Sequence, residues 1–108
     1  MDLQQEDCLS VPVITPTARR DIRAICRYIA EDSVHYADRV AEAILATCYM
    51  TAELPGIGHA RPDLTHRDIL FVPVRGYERY VIAYAAHSEP VRILRVLHGA
   101  RDVPRLFR

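Results

Sequence analysis

The sequence predicts an α+β fold in the order β-α-α-β-β-β, an antiparallel helical hairpin packed on a small, mostly antiparallel sheet. Three observations predict it. Two stretches of the first half carry apolar residues at three- and four-residue spacing, the signature of amphipathic helices. Three runs of the second half are rich in β-branched and aromatic residues and are separated by short turn-forming segments. Pro and Gly fall at the junctions, where an element has to stop.

Residues 11–15 read as a short β-branched strand. Pro16 has no amide hydrogen to donate, so the strand ends there. The same proline suits the first position of a helix, with Thr15 as its N-cap. Ala18, Ile22, Ile25, Cys26 and Ile29 form the apolar face of that helix, Arg19, Arg20, Arg23 and Arg27 lie elsewhere on it, and it should end near Glu31. Asp32-Ser33 is the connection and Ser33 a second N-cap. Ala37, Val40, Ala41, Ile44, Cys48 and Leu54 mark the next apolar face, and Pro55-Gly56 stops it. A link this short folds the two helices back on each other, and each still needs another surface to cover its apolar side.

Residues 56–67 contain two Gly, one Pro and few apolar side chains, and read as a loop. Strands are expected over residues 69–75, 78–86 and 91–98. Gly76-Tyr77 and His87-Ser88-Glu89-Pro90 separate them and are short enough for hairpins, so the three runs form a meander. In the middle run Tyr80, Ile82 and Tyr84 share one face and Val81, Ala83 and Ala85 the other, and either face could meet the helices.

A chain of 108 residues has room for one core, so one domain is expected over residues 11–108. Residues 1–10 are set apart as an N-terminal extension, disordered unless something ties it down. Half of the residues are hydrophobic and 26% are charged, the mix of a folded globular protein. The first ten residues hold Asp2, Glu6 and Asp7 and no arginine, unlike a secretory signal, and the longest apolar run, residues 80–86, is too short to cross a bilayer. The expectation is a cytoplasmic protein with no membrane association. Cys8, Cys26 and Cys48 are odd in number and widely spaced, which suggests neither a disulfide frame nor a zinc site; two of them fall on the helical faces as buried thiols. His35, His59, His66 and His87 lack metal-ligand spacing and read as scattered surface residues. There is no Gly-rich phosphate loop, GxSxG or HExxH string, so nucleotide and zinc-hydrolase chemistry is set aside and no cofactor is implied.

The net charge of zero hides an asymmetry. Residues 1–60 hold five Arg against nine Asp or Glu, a net of −4, whereas residues 61–108 hold nine Arg against five, a net of +4. All fourteen basic residues are Arg. Guanidinium groups grip phosphate or carboxylate with planar forks, so the second half is where function is sought.

Several strings resemble those of a known family. Thr15-Pro16-x-Ala18-x-x-Asp21-Ile22 opens the first helix, Ala37-Asp38-Arg39-Val40 lies in the second, and Leu54-Pro55-Gly56-x-Gly58 follows it. The last strand, Ile93-Leu94-Arg95-Val96-Leu97-His98-Gly99-Ala100-Arg101-Asp102, is similar to the ending of the ParE branch of the ParE/RelE toxins. The correspondence runs from about Val11 to Asp102. It implies the toxin of a type II toxin-antitoxin pair, held in a hetero-oligomer by a cognate antitoxin whose flexible tail wraps it. ParE-branch members poison DNA gyrase; RelE-branch members cut messenger RNA on the ribosome.

A metal-free ribonuclease needs a group to take the 2′-hydroxyl proton, one to protonate the leaving oxygen, and positive charge. Arg61, Arg67, Arg79 and Arg95 could supply charge, and His98 or Tyr84 could move protons. Tyr84 alternates with apolar neighbours and reads equally as core, and His98 could simply bond the turn at the strand end. Ribonuclease-type members carry a C-terminal Tyr, but after Arg95 this chain has none, and its tail, residues 103–108, offers arginines and an apolar anchor. The resemblance therefore favours a non-catalytic gyrase poison that binds its target through Arg95, His98, Arg101 and Asp102. The alternatives are a ribosome-dependent endoribonuclease using Arg61, Arg79, Tyr84, Arg95 and His98, and a toxin fold that survives only as a binding module. Arg101-Asp102 could instead be an ion pair closing the last strand. An antitoxin tail, acidic or apolar, is expected to cover part of the Arg-rich sheet half.

Overall fold

The first strand, β1, is only Val13–Ile14, because Pro16 turns the chain into the helix α1, Pro16–Ala30. The computed structural model describes residues 11–106; the extension over residues 1–10, with Cys8, and the tail residues Phe107 and Arg108 lie outside them. Thr15 caps α1 as expected: its Oγ1 accepts from the Ala18 amide at 3.2 Å and donates to the Ile93 carbonyl at 2.9 Å. Ser33 caps α2, Val34–Glu53, by accepting from the Tyr36 amide at 3.1 Å. A 3-10 turn at Pro55–Ile57 follows, then β2 (His59–Ala60), β3 (Leu70–Val74), β4 (Tyr77–Ala85), β5 (Arg92–His98) and a final turn of helix, α3 (Val103–Leu106).

The predicted order β-α-α-β-β-β is present, with three short elements added. The 3-10 turn and β2 lie in or beside residues 56–67, which the sequence presents as loop, and α3 lies in the C-terminal tail. A two-residue strand has no periodicity to detect, and β2 exists because His59 and Ala60 pair with Phe71 and Leu70. The sheet order is β1-β5-β4-β3-β2, with β1 parallel to β5 and every other pair antiparallel.

The question of which face of β4 meets the helices is decided by burial. Ile82 and Tyr84 are fully buried in one core with Ala18, Val40, Ile44 and Cys48 from the helices and Ile93 and Val96 from β5. Ala83, on the reverse face, joins Ile69 and Phe71 under Leu64. The apolar face predicted for α2 needs one correction. Leu54 is 57% exposed, and Thr47, Thr51 and Ala52 are buried instead. The helix stops at Glu53, and the backbone of Leu54 leaves it at φ −132° and ψ 74°, which takes that side chain off the helical face. The threonines are tolerated because their hydroxyls bond back to the carbonyls of Ala43 and Cys48, at 2.8 and 2.7 Å. Burial also pushes the Cys48 thiol up to about 12, the behaviour of an inert structural cysteine.

One irregularity positions the site. Ala83 is registered opposite Arg95 and Tyr84 opposite Ile93, so Leu94 is an extra residue in β5. This bulge lets Ile93 and Val96 both face the helices and turns Leu94 to the reverse side. Because β1 pairs with Arg92 and Ile93 alone, the rest of β5 has no strand on its outer side among the described residues.

Candidate functional site

The open stretch of β5 lies beside α1, and a cleft of about 480 Å³ forms between them. Its wall on the α1 side carries Asp21, Ile25 and Tyr28; β4 contributes Arg79 and Tyr80, and the far end of β5 contributes Arg95 and His98. Arg101, Asp102 and Arg105 close it from the C-terminal segment. Among the described residues the cleft thus gathers four arginines against two aspartates, the local form of the basic bias of the second half.

The bare edge of β5 is satisfied by side chains. The Val96 amide donates to Asp21 Oδ2 at 3.0 Å, and the His98 amide donates to Asp102 Oδ2 at 3.1 Å. Two carboxylates therefore stand where a neighbouring strand would accept, which protects the edge from pairing with another chain. Asp21 also takes a fork from Arg95, Nε to Oδ2 at 2.8 Å and Nη2 to Oδ1 at 3.1 Å. That hydrogen bond to Asp21 raises the Arg95 pKa, against the opposing pull of partial burial.

At the strand end, His98 Nδ1 accepts from the Arg101 amide at 3.2 Å and the His98 carbonyl accepts from the Asp102 amide at 2.8 Å. Nδ1 must present a lone pair in this arrangement, so the ring proton sits on Nε2. Arg101 Nε meets Asp102 Oδ1 at 3.3 Å, the ion pair anticipated as the structural alternative for these residues. Burial alone would push the Asp102 carboxyl up, but the His98 amide and the Arg101 guanidinium outweigh it and hold the group below its ordinary value. The Tyr80 ring packs edge-on against the His98 ring, centroids 5.8 Å apart.

Of the residues anticipated for a target contact, Arg95, His98, Arg101 and Asp102 all line this cleft. The ribonuclease candidates are not assembled in the same way. Arg79, Arg95 and His98 are here, but Arg61 lines neither this cleft nor the second one, and its guanidinium is forked onto Asp63 at 3.0 and 2.8 Å. Tyr84 is fully buried; its hydroxyl donates to the Pro55 carbonyl at 2.7 Å and accepts from the Gly58 amide at 2.9 Å. Burial raises its pKa, partly offset by the Gly58 amide. Arg67 belongs to the second cleft, of about 430 Å³, which it shares with Arg92 and with Arg95 again. His35, His59, His66 and His87 are all exposed, and among the described residues no group of three His, Cys, Asp or Glu is placed to hold a metal.

Four polar side chains of the cleft were not singled out from sequence as site residues: Asp21, Tyr28, Tyr80 and Arg105. Asp21 carried a signal, since it belongs to the string that opens α1. Tyr28 and Tyr80 carried none, because a lone tyrosine on an amphipathic element reads the same whether it lines a cleft or a surface.

The family model described as ParE toxin of type II toxin-antitoxin system, parDE, matches residues 13–103, from β1 to the first residue of α3. The chain belongs to that family. The ParE-family assignment makes it a type II toxin, whose partner is an antitoxin protein. No curated protein matches the chain in sequence. The matched strings now have physical roles in this toxin. Thr15 caps α1 at the Ala18 amide, Thr15 and Asp21 tie the helix to β5, and Leu54-Pro55-Gly56-x-Gly58 is the segment that Tyr84 pins to the sheet. No helix among the described residues is long and apolar enough to cross a membrane.

Proposed function

We propose that this toxin arrests growth by binding DNA gyrase and trapping its cleaved-DNA state, without a catalytic step of its own, and that its antitoxin neutralises it by covering the arginine cleft. The reading rests on the separation of the groups that metal-free RNA cleavage would need. Tyr84 spends its hydroxyl inside the core, Arg61 lies in neither cleft, and His98 commits Nδ1 to the Arg101 amide. What remains in the cleft is recognition chemistry, guanidinium groups held by carboxylates beside aromatic rings.

The test is purified gyrase with excess toxin, scored for supercoiling and for accumulated cleaved complexes, beside a parallel assay of ribosome-bound message. Cleaved complexes with intact message are expected. Cut message with undisturbed supercoiling would move the toxin to the ribonuclease branch and make His98 and its neighbouring arginines catalytic candidates.

A further inference from the structure

The arginines of the cleft are not equivalent. Arg95 is held by Asp21 and Arg101 by Asp102, whereas Arg79 and Arg105 have no carboxylate partner among the described residues. Aromatic rings line the same cleft. Tyr28 is 70% exposed on the α1 wall, and Tyr80 is half-buried on β4. Ala24 and Ile25 make the wall beside Tyr28 apolar.

We propose that this cleft binds single-stranded DNA, with Tyr28 and Tyr80 stacking on bases and Arg79 and Arg105 holding phosphates. Unpaired cations interleaved with accessible rings are the recurring arrangement for single strands, since every base offers a π-face and every linkage a negative charge. A duplex keeps its base faces stacked internally and leaves exposed rings nothing to stack on. An acidic peptide matches the charge but has no planar base to stack on Tyr28. A cleft of about 480 Å³ is large enough for a stacked base and its phosphate. The choice of DNA rests on the gyrase reading, in which strands opened at the cleaved gate are the polymer at hand.

The experiment measures binding of the full-length toxin to dye-labelled oligothymidylate by fluorescence anisotropy, beside oligouridylate, a duplex of the same length and an oligoglutamate peptide. Oligothymidylate is expected to bind best. Two phosphate contacts should give a log-log salt slope of about −1.4. Tyr28→Ala should weaken binding roughly tenfold while Tyr28→Phe retains it, and the Arg79→Ala/Arg105→Ala pair should remove most of the salt slope. These side chains are exposed, so the variants keep the fold; Arg39→Ala, outside the cleft, should change nothing. Toxin that poisons gyrase yet binds no oligothymidylate at low salt overturns the site and leaves the gyrase reading standing. Toxin that binds the oligonucleotide without poisoning gyrase supports the site and removes the gyrase reading. Equal or tighter binding of oligouridylate overturns the assignment to DNA, and equal binding of oligoglutamate with a silent Tyr28→Ala overturns stacking.

Discussion

Arg95 and Asp21 join the last strand to the first helix through a two-pronged ion pair at 2.8 and 3.1 Å, and the same carboxylate takes the Val96 amide at 3.0 Å. Both side chains are mostly covered, at 29% and 15% exposure. Arg95 is registered opposite Ala83, on the reverse face of the sheet, so its guanidinium reaches Asp21 across the edge that β1 leaves uncovered. That geometry makes Arg95 part of the fold as well as of the cleft.

Removing one member strands the others. Asp21→Ala leaves a guanidinium and a backbone amide without their acceptor, which should cost about 2 kcal/mol and lower the melting midpoint by about 10 °C. Arg95→Ala should cost a similar amount. Arg101→Ala breaks an exposed pair at 63% and 27% exposure and should change stability by less than about 1 kcal/mol. Thermal unfolding of the three variants checks the ranking. An Arg95→Ala protein as stable as the parent would return Arg95 to a purely target-facing role.

Tyr84 and Gly58 form the second such unit. A Cβ on Gly58 would lie 2.7 Å from the Tyr84 hydroxyl oxygen and 2.9 Å from the Phe71 carbonyl oxygen, so Gly58→Ala must displace backbone. Tyr84→Phe leaves the Gly58 amide and the Pro55 carbonyl without their partner. Each change should destabilise by roughly 1–3 kcal/mol, read by denaturant unfolding, while toxicity of the folded fraction persists. Tyr84→Phe that unfolds normally but loses toxicity would mean that the hydroxyl does chemistry.

The Asp102 carboxyl, held below the ordinary 3.8 by the His98 amide and the Arg101 guanidinium against its own burial, sets a pH dependence. A group depressed in the folded state adds stability above its unfolded value and loses it as pH falls through the folded one. The closure of the β5 end is therefore expected to hold at neutral pH and to weaken below about pH 4. Stability measured from pH 6 down to pH 2 should fall less steeply for Asp102→Asn than for the parent. Parallel acid limbs in the two proteins would show that the carboxylate closes nothing.

Both long helices, their caps Thr15 and Ser33, and the three-strand meander were legible in the sequence because each is written locally. Three-and-four spacing, alternation and a hydroxyl before the first turn need no knowledge of distant residues. The strand β2 and the helical turn α3 were not legible, since elements this short are stabilised by what they touch. Of the candidate cleft, Arg95, His98, Arg101 and Asp102 were singled out within one stretch of sequence at a strand end, and the tertiary structure gave each a partner, Asp21 for Arg95, Asp102 for Arg101 and the Arg101 amide for His98.

The sequence by itself determined the α+β class, the order of its main elements, the basic bias of the second half and the toxin family, all properties of local pattern and composition. Only the tertiary structure decided which face of β4 is core, that Leu94 bulges, that Asp21 caps the uncovered side of a strand 75 residues away, and that Tyr84 is sealed inside. Those outcomes depend on which backbone amides lack a strand partner and which hydroxyls can find one when buried. Such a balance is struck between residues far apart in the chain, and no window of sequence contains it.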